Sequence, residues 1–276
     1  MVKVAGVQMI SENGDVTKNR WKAVQFIREA ADNGAKLICL PELWVTGYGM
    51  STEEFQSLAE RTEGETISLF RELAKELSVV LIVPFPELAV NSSSLQNMIY
   101  ISAAIIDSNG SLLGIYRKSM LWGAEQQTFF PGERKYKVYE TDIGKIGVLL
   151  CYDIEFPEPA RMLALDGAEL LVVPSVWSNK AEQRWDIQLP ARALDNFVYV
   201  LGVNTVGDGA CGKTKFVEPN GMVEEEASNE DECIIYGVVD RTKLLQVREE
   251  IPYLQDYPHE FRPIGMKQEV EKIKGA

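Results

Sequence analysis

Two distant stretches of this chain read as one and the same helix-to-strand junction. Gly34-Ala35-Lys36-Leu37-Ile38-Cys39-Leu40-Pro41-Glu42-Leu43-Trp44 aligns without a gap to Gly167-Ala168-Glu169-Leu170-Leu171-Val172-Val173-Pro174-Ser175-Val176-Trp177, with the Gly, Ala, Leu, Pro and Trp positions shared. Helical periodicity precedes each: residues 16–33 carry Trp21, Val24, Ile27 and Ala31 at helical spacing, and residues 157–166 open with Pro157 in the first turn. A short apolar run follows each glycine, residues 37–40 and 169–173, as expected of buried strands. Further units of the same grammar surround them. Strands are predicted over 2–9, 79–83, 145–151 and 198–203, and helices over 68–77 and 181–196. Sheets fed by such units must bury both faces, which predicts two stacked mixed sheets with helices outside each. Sequence alone leaves two readings of the echo open: a duplicated half, or ordinary punctuation between helix and strand.

Hairpins separate the two halves. Residues 98–107 and 111–118 are extended runs joined by Asp107-Ser108-Asn109-Gly110, where Asn-Gly is a strong turn signal. Residues 215–218 and 222–226 flank Pro219-Asn220-Gly221, and residues 233–239 supply a last strand before a polar tail with Pro252, Pro258 and Pro263. At 276 residues and 46% hydrophobic, the chain is expected to form one domain, with its core over residues 1–240 and the tail, 241–276, available for oligomer contacts.

Charge and cysteine usage narrow the function classes. With 28 Lys+Arg against 41 Asp+Glu, the formal charge of −13 repels phosphate backbones and anionic lipid headgroups, and no basic patch offsets it. No nucleic-acid or membrane partner is expected. No apolar run approaches the roughly 20 residues of a membrane span, and residues 1–9 lead into polar sequence without an export signal, so the expected location is the cytoplasm. Cys39, Cys151, Cys211 and Cys233 are widely spread, without a C-x-x-C pair, and read as free thiols. A single histidine, His259, removes the supply for histidine-based zinc sites and for Ser-His-Asp or Cys-His chemistry. Neither metal nor cofactor is expected, and the base of an enzyme with this composition is a carboxylate.

Three reactive residues stand where buried strands end: Glu42, Lys118 and Cys151. In open α/β sheets, sites gather at the carboxyl ends of strands. A thiol is only a few per cent ionised at neutral pH and needs a base or a positive charge beside it, which Glu42 and Lys118 would supply. Taken singly, Cys151 also reads as an inert core thiol, and the other two as solvated strand ends.

The words around these residues go further. Leu40-Pro41-Glu42-Leu43 with Thr46-Gly47-Tyr48, Tyr116-Arg117-Lys118, and residues 147–158 around Leu150-Cys151-Tyr152-Asp153 resemble the base, lysine and nucleophile motifs of the nitrilase (carbon-nitrogen hydrolase) superfamily, in that order. Similar residues continue through 121–125, Phe130-Pro131-Gly132, Arg161, Pro174 with Trp177, residues 191–196 and Pro219-Asn220-Gly221, so the resemblance spans 2 to about 240. It implies an α/β, four-layer αββα sandwich with two mixed β-sheets. In it Cys151 would be the nucleophile, Glu42 the general base and then acid, and Lys118, with the backbone N–H of Tyr152, the stabiliser of the oxyanion. Glu125 resembles the family's second glutamate, with a plain salt bridge as its alternative. Tyr48, Trp122 and Trp177 are expected to wall the pocket, or else to be core aromatics. Glu158 and Arg161 are expected to pair within a helix.

One motif points elsewhere. Gly207-Asp208-Gly209-Ala210-Cys211-Gly212-Lys213-Thr214 fits the G-x-x-x-x-G-K-T phosphate-loop pattern. That pattern works by starting a helix at its Lys-Thr, whereas the following Lys215-Phe216-Val217-Glu218-Pro219-Asn220-Gly221 alternates and turns. Hairpin grammar there predicts no phosphate site.

Within the superfamily, Tyr152-Asp153 differs from the Trp-Glu that usually follows the nucleophile of true nitrilases. Residues 151–174, 231–233 and 251–256 are similar to the aliphatic amidase branch that includes 5-aminopentanamidase. The expected reaction is therefore hydrolysis of a small aliphatic carboxamide to acid and ammonia by a homodimer or larger homo-oligomer. A nitrilase, an N-carbamoyl-amine hydrolase and a non-catalytic interaction protein on the same fold are the alternatives.

Overall fold

The computed structural model describes residues 1–90 and 97–258; residues 259–276 of the expected oligomer-contact tail, His259 and Pro263 among them, lie outside. The strands in chain order are β1 (Val2–Gln8), β2 (Leu37–Cys39), β3 (Val80–Val90), β4 (Asn97–Ile106), β5 (Leu112–Arg117), β6 (Tyr139–Thr141), β7 (Gly144–Val148), β8 (Leu170–Ser175), β9 (Tyr199–Asn204), β10 (Val206–Gly207), β11 (Ala210–Cys211), β12 (Lys215–Val217), β13 (Val223–Glu226) and β14 (Cys233–Val239). The helices are α1 (Val16–Asp32), α2 (Thr52–Leu58), α3 (Glu65–Leu77), α4 (Glu125–Thr128), α5 (Pro157–Leu165), α6 (Glu182–Asn196), α7 (Arg241–Glu250) and α8 (Tyr253–Asp256).

Two six-stranded mixed sheets result, in the orders β14-β1-β2-β3-β4-β5 and β13-β12-β9-β8-β7-β6. Each holds three adjacent parallel strands, β1-β2-β3 in one and β7-β8-β9 in the other, with antiparallel strands on both flanks. Helices α1 and α3 cover the outer face of the first sheet, where Ile27, Ala30 and Phe70 pack on Val7, Ile38 and Leu81. Helices α5 and α6 cover the second, and the faces turned towards each other share one apolar core. This is the expected αββα sandwich. Among the described residues, no helix is long and apolar enough to cross a membrane.

The sequence echo is matched bond for bond. After α1, Gly34 has φ +87°, Ala35 N–H donates to Ala30 and Lys36 N–H to Lys3; after α5, Gly167 has φ +96°, Ala168 N–H donates to Leu163 and Glu169 N–H to Lys145. Both glycines take the left-handed region that ends a helix without a Cβ penalty. The Lys3 and Lys145 carbonyls belong to the first strand of each parallel trio, and those of Ala30 and Leu163 to the last turns of α1 and α5. The two halves therefore repeat a helix end, a strand and its register.

The two sheets approach closely at β1 and β14. A Cβ on Gly6 would lie 2.9 Å from the Thr214 methyl and 3.0 Å from Val203, and one on Gly237 would enter the Phe216 ring. Only glycine permits that spacing.

Several expectations need correction. The buried face of α1 is Asn19, Ala23, Ile27 and Ala30, with Trp21 66% exposed, because the small alanines let the helix lie close against the sheet. Strand β3 runs on through Pro84 and Pro86, since its neighbour β2 ends opposite Ile82 and leaves that edge without a ladder for the prolines to break. The tail is not irregular throughout: Asp240 caps α7 through Thr242 and Lys243 N–H. Among the described residues no ion pair joins Glu158 to Arg161; the Arg161 guanidinium lies over the Tyr257 ring, 5.1 Å from its centroid.

Candidate active site

Sequence reading ran the strand before the nucleophile through Cys151, but β7 stops at Val148. Cys151 instead begins a 3-10 turn, Cys151–Glu155, with φ +47°, a left-handed conformation that a non-glycine residue holds only when its surroundings impose it. Asp153 imposes it. Its buried carboxylate accepts from Leu150 N–H (3.1 Å), Tyr116 O–H (2.7 Å), Ser119 N–H (3.2 Å), Ser119 O–H (2.8 Å) and Met120 N–H (2.9 Å). That one side chain ties the cysteine turn to the chain just after Lys118. From α6, Arg192 donates to the Ile154 and Glu155 carbonyls, holding the other side of the turn. Asp153 appeared in the sequence as a neighbour of the nucleophile only; its spacing from Cys151 gives no sign that five donors meet on it.

Glu42 leaves the end of β2 at a second tight turn, where Leu43 has φ +50° and its carbonyl accepts from Gly47 N–H at 2.9 Å. Lys118 follows β5 directly and is pinned by its N–H to Ile101 O (2.8 Å). The three groups meet as the spacing suggested, and Glu125 joins them. Lys118 Nζ donates to Glu42 Oε1 and to Glu125 Oε1, each at 2.8 Å, and these three side chains are at most 4% exposed. Glu42 Oε2 accepts from Val176 N–H (3.0 Å), and Glu125 Oε2 from Trp122 N–H (2.8 Å). Tyr48 O–H adds a third donor to Glu125 at 3.0 Å. Glu125 is thus more than a plain salt bridge.

Cys151 faces the same residue that holds Glu42: its Sγ lies 3.8 Å from Val176 O. The base and lysine come from the first sheet, the thiol and Val176 from the second. Burial pushes the Glu42 carboxyl up, against the pull of Lys118, and burial together with Glu42 pushes the Cys151 thiol well up. Burial disfavours the Lys118 charge, but Glu42, Cys151 and Glu125 outweigh it and hold the ammonium well above its ordinary value. Burial thus keeps Cys151 a neutral thiol, beside a Lys118 ammonium that bonds Glu42 and Glu125.

The thiol opens on a cavity of about 730 Å³ walled by Tyr48, Trp122, Tyr152, Val176 and Trp177. The three expected pocket aromatics, Tyr48, Trp122 and Trp177, line it, and Tyr152, expected beside the oxyanion, joins them. Trp122 meets Tyr152 edge-on at 5.0 Å and is half exposed at the mouth, whereas Trp177 is buried, its indole N–H given to Ala181 O at 2.8 Å. Burial and the nearby carboxylates push the Tyr48 phenol up, keeping it a proton donor. At the rim, Arg184 pairs with Glu155 at 3.3 Å.

The Gly-rich motif forms no phosphate cradle. Residues 206–211 make the two-strand ribbon β10-β11, and strand β12, not a helix, follows Thr214. Lys213 is taken up by Glu182 (3.1 Å) and Asp186 (2.5 Å).

The family model for carbon-nitrogen hydrolases matches residues 3–249. A probable nitrilase of Schizosaccharomyces pombe is 35% identical over 243 residues, covering 86% of this chain and 88% of that protein. The human omega-amidase NIT2 is 32% identical over 265 residues, covering 90% and 92%. Among solved structures, a cysteine-to-alanine variant of the amidase from Nesterenkonia sp. AN1 in complex with butyramide superposes with a TM-score of 0.73 at 26% identity, covering 90% of this chain and 94% of that one.

Proposed function

This chain belongs to the carbon-nitrogen hydrolase family, whose members break C–N bonds, and we propose that it cleaves a small aliphatic carboxamide to the acid and ammonia through a thioester on Cys151. One observation carries the reading: a buried Glu42–Lys118–Glu125 chain stands beside a thiol presented on a left-handed turn at the base of an aromatic cavity.

In the first step Sγ attacks the amide carbon while its proton passes to Glu42, whose raised pKa makes it a stronger base than an ordinary glutamate. Lys118 spends two of its three N–H donors on the carboxylates, leaving one for the tetrahedral oxygen. The N–H of Tyr152, on the first turn after the nucleophile, is the second donor to that oxygen. Glu42 then gives its proton to the nitrogen, the C–N bond breaks and ammonia leaves. In the second step water attacks the thioester, Glu42 takes its proton and returns it to the departing sulfur. No cofactor enters either step. Glu125, fixed by Tyr48 and Trp122, holds Lys118 in place.

An amide needs one proton at its leaving nitrogen, whereas a nitrile forms a thioimidate that needs further protons before ammonia can leave. Comparing kcat/KM for matched aliphatic amides and nitriles tests the reading. The amide is expected to win; a nitrile preferred tenfold, about 1.4 kcal/mol of transition-state binding, overturns it. The proposal includes a cytoplasmic homo-oligomer. Four free thiols suit a reducing compartment, and α5 and α6 expose Met162, Leu165, Ile187 and Leu194 on the outside of the second sheet. Light scattering of the purified protein checks the oligomer.

A further inference from the structure

Strand β9 ends on Asn204, opposite Ser175 in the parallel register, and its side chain is fully buried beside the chain that follows β8. That carboxamide grips both backbone groups of Trp177. Oδ1 accepts from Trp177 N–H at 2.7 Å, and Nδ2 donates to Gly212 O at 2.9 Å and Trp177 O at 3.2 Å, with Cys211 Sγ at 3.3 Å. The backbone of Asn204 is fastened in turn. Thr214 Oγ1 accepts from its N–H at 3.0 Å and donates to its carbonyl at 3.1 Å, while Gln8 of β1 accepts from Thr214 N–H at 3.0 Å. The Gly-rich stretch that forms no phosphate cradle thus serves this one side chain.

A trans peptide carries its N–H and its carbonyl on opposite edges of one plane, so fixing one aims the other. The N–H held by Asn204 Oδ1 and the carbonyl facing Cys151 Sγ belong to the same peptide, Val176–Trp177. The peptide before it supplies the Val176 N–H to Glu42 Oε2. We propose that Asn204 is a positioning residue for the reaction: by holding that plane it aims the carbonyl at the thiol and keeps the Val176 N–H on the base. It acts through the peptide and does not touch the substrate. The inference rests on the reading of Cys151 as nucleophile and Glu42 as base. Its consequence is measurable at Glu42, because a hydrogen bond to the charged form favours ionisation, and the Val176 N–H lowers the Glu42 pKa against the effect of burial. Releasing the peptide should weaken that bond and let the carboxyl rise further, with Lys118, Glu125, Cys151 and Tyr48 still facing it.

Asn204→Ala removes the grip and leaves every reacting group in place. Its kcat and KM on the preferred amide, and the acid limb of its kcat/KM profile, are compared with those of Gln8→Leu, which breaks three buried bonds of the same network without reaching Trp177. In Asn204→Ala, kcat is expected to fall by about tenfold or more with KM within about threefold, and the acid limb to move up by about half a pH unit or more. In Gln8→Leu the limb should stay. Asn204→Asp, of nearly the same shape, decides the matter should the alanine variant not fold. While its carboxyl carries a proton it keeps an acceptor for Trp177 N–H and a donor for one carbonyl; once ionised it sets a negative charge against the Trp177 and Gly212 oxygens. Activity should therefore survive at low pH and gain an alkaline limb that the unaltered protein lacks. A folded Asn204→Ala with kcat within about twofold and an unmoved limb overturns the proposal. So does an equal limb shift in Gln8→Leu, or an Asn204→Asp variant that follows the original profile throughout. Failure of the underlying reading shows elsewhere: Glu42→Gln or Cys151→Ala would then keep turning over.

Discussion

Val176 donates its backbone N–H to Glu42 Oε2 at 3.0 Å and turns its carbonyl to Cys151 Sγ, so one residue just past the end of β8 touches both the base and the thiol. Val176 is the echo partner of Leu43, the residue after Glu42. The ends of the two repeated junctions thus meet at the site.

Replacing Cys151 by Ala should leave a folded protein without turnover, because the nucleophile is lost with little change in volume. Glu42→Gln should do the same, since the neutral amide cannot take the thiol proton. Ammonia release is expected to drop by at least 10³-fold in each, on the order seen when members of a catalytic unit are removed singly. A soluble variant within tenfold of the original rate removes that residue from the mechanism.

Lys118→Met strands two buried carboxylates side by side. Removing one partner of a buried ion pair costs about 3–5 kcal/mol, so urea unfolding should show a loss of that order together with loss of activity. Adding Glu125→Gln should recover part of the stability and none of the activity. An unchanged unfolding midpoint in Lys118→Met contradicts the buried ion chain.

The pH profile follows from the shifted groups. Activity requires ionised Glu42, so kcat/KM should fall as pH drops through a value above the ordinary glutamate of about 4.3. On the alkaline side no loss is expected through the ordinary thiol range, because the thiol is pushed up and deprotonates only as it attacks. For stability the sign is that of a raised cation: the contribution of Lys118 is complete below its unfolded value and is lost as pH rises through the higher folded one. An acid limb at or below the ordinary glutamate value argues against Glu42 as the base.

Asp153→Asn keeps the shape but replaces one accepting oxygen by a donor among five donors. The turn should relax, with kcat falling on the order of 10²-fold and KM moving less, as expected when a reacting group is misplaced by about 1 Å. An unpaired buried donor adds a stability cost of about 1–3 kcal/mol. Equal loss of kcat and stability in Ser119→Ala, which removes only one of the five bonds, would point to a fold defect instead.

Mg-ATP should leave the melting temperature unchanged despite the Gly207–Thr214 pattern. A ligand specific to the native state must raise apparent stability, and Lys213 is already paired with Glu182 and Asp186. A rise that disappears in Lys213→Ala defeats this.

Much of the layering was legible because helical and strand periods, with Gly34 and Gly167 as stops, are local signals. The hairpin at Asn109-Gly110 was legible for the same reason. Helix α2 was overlooked, although Ser51 and Glu54 form a capping box that spells its start. The turn at Cys151 was not legible: the residues before it are as apolar as a strand, and its φ is set by Asp153 bonds to Tyr116, Ser119 and Met120, far away in sequence. Motif resemblance brought Glu42, Lys118, Glu125 and Cys151 together, and the ion chain among them is a fact of packing.

Because the thiol hangs from one sheet and the carboxylate from the other, the gap between the sheets is the ruler that sets how far a proton must travel. Gly6 and Gly237 fix that ruler at its short mark. A single methyl at Gly6, lodged against Thr214 and Val203, would act as a shim, tilting one half of the reaction away from the other without altering any group that reacts. In this protein the tolerance of the chemistry is machined into two residues that have no side chain.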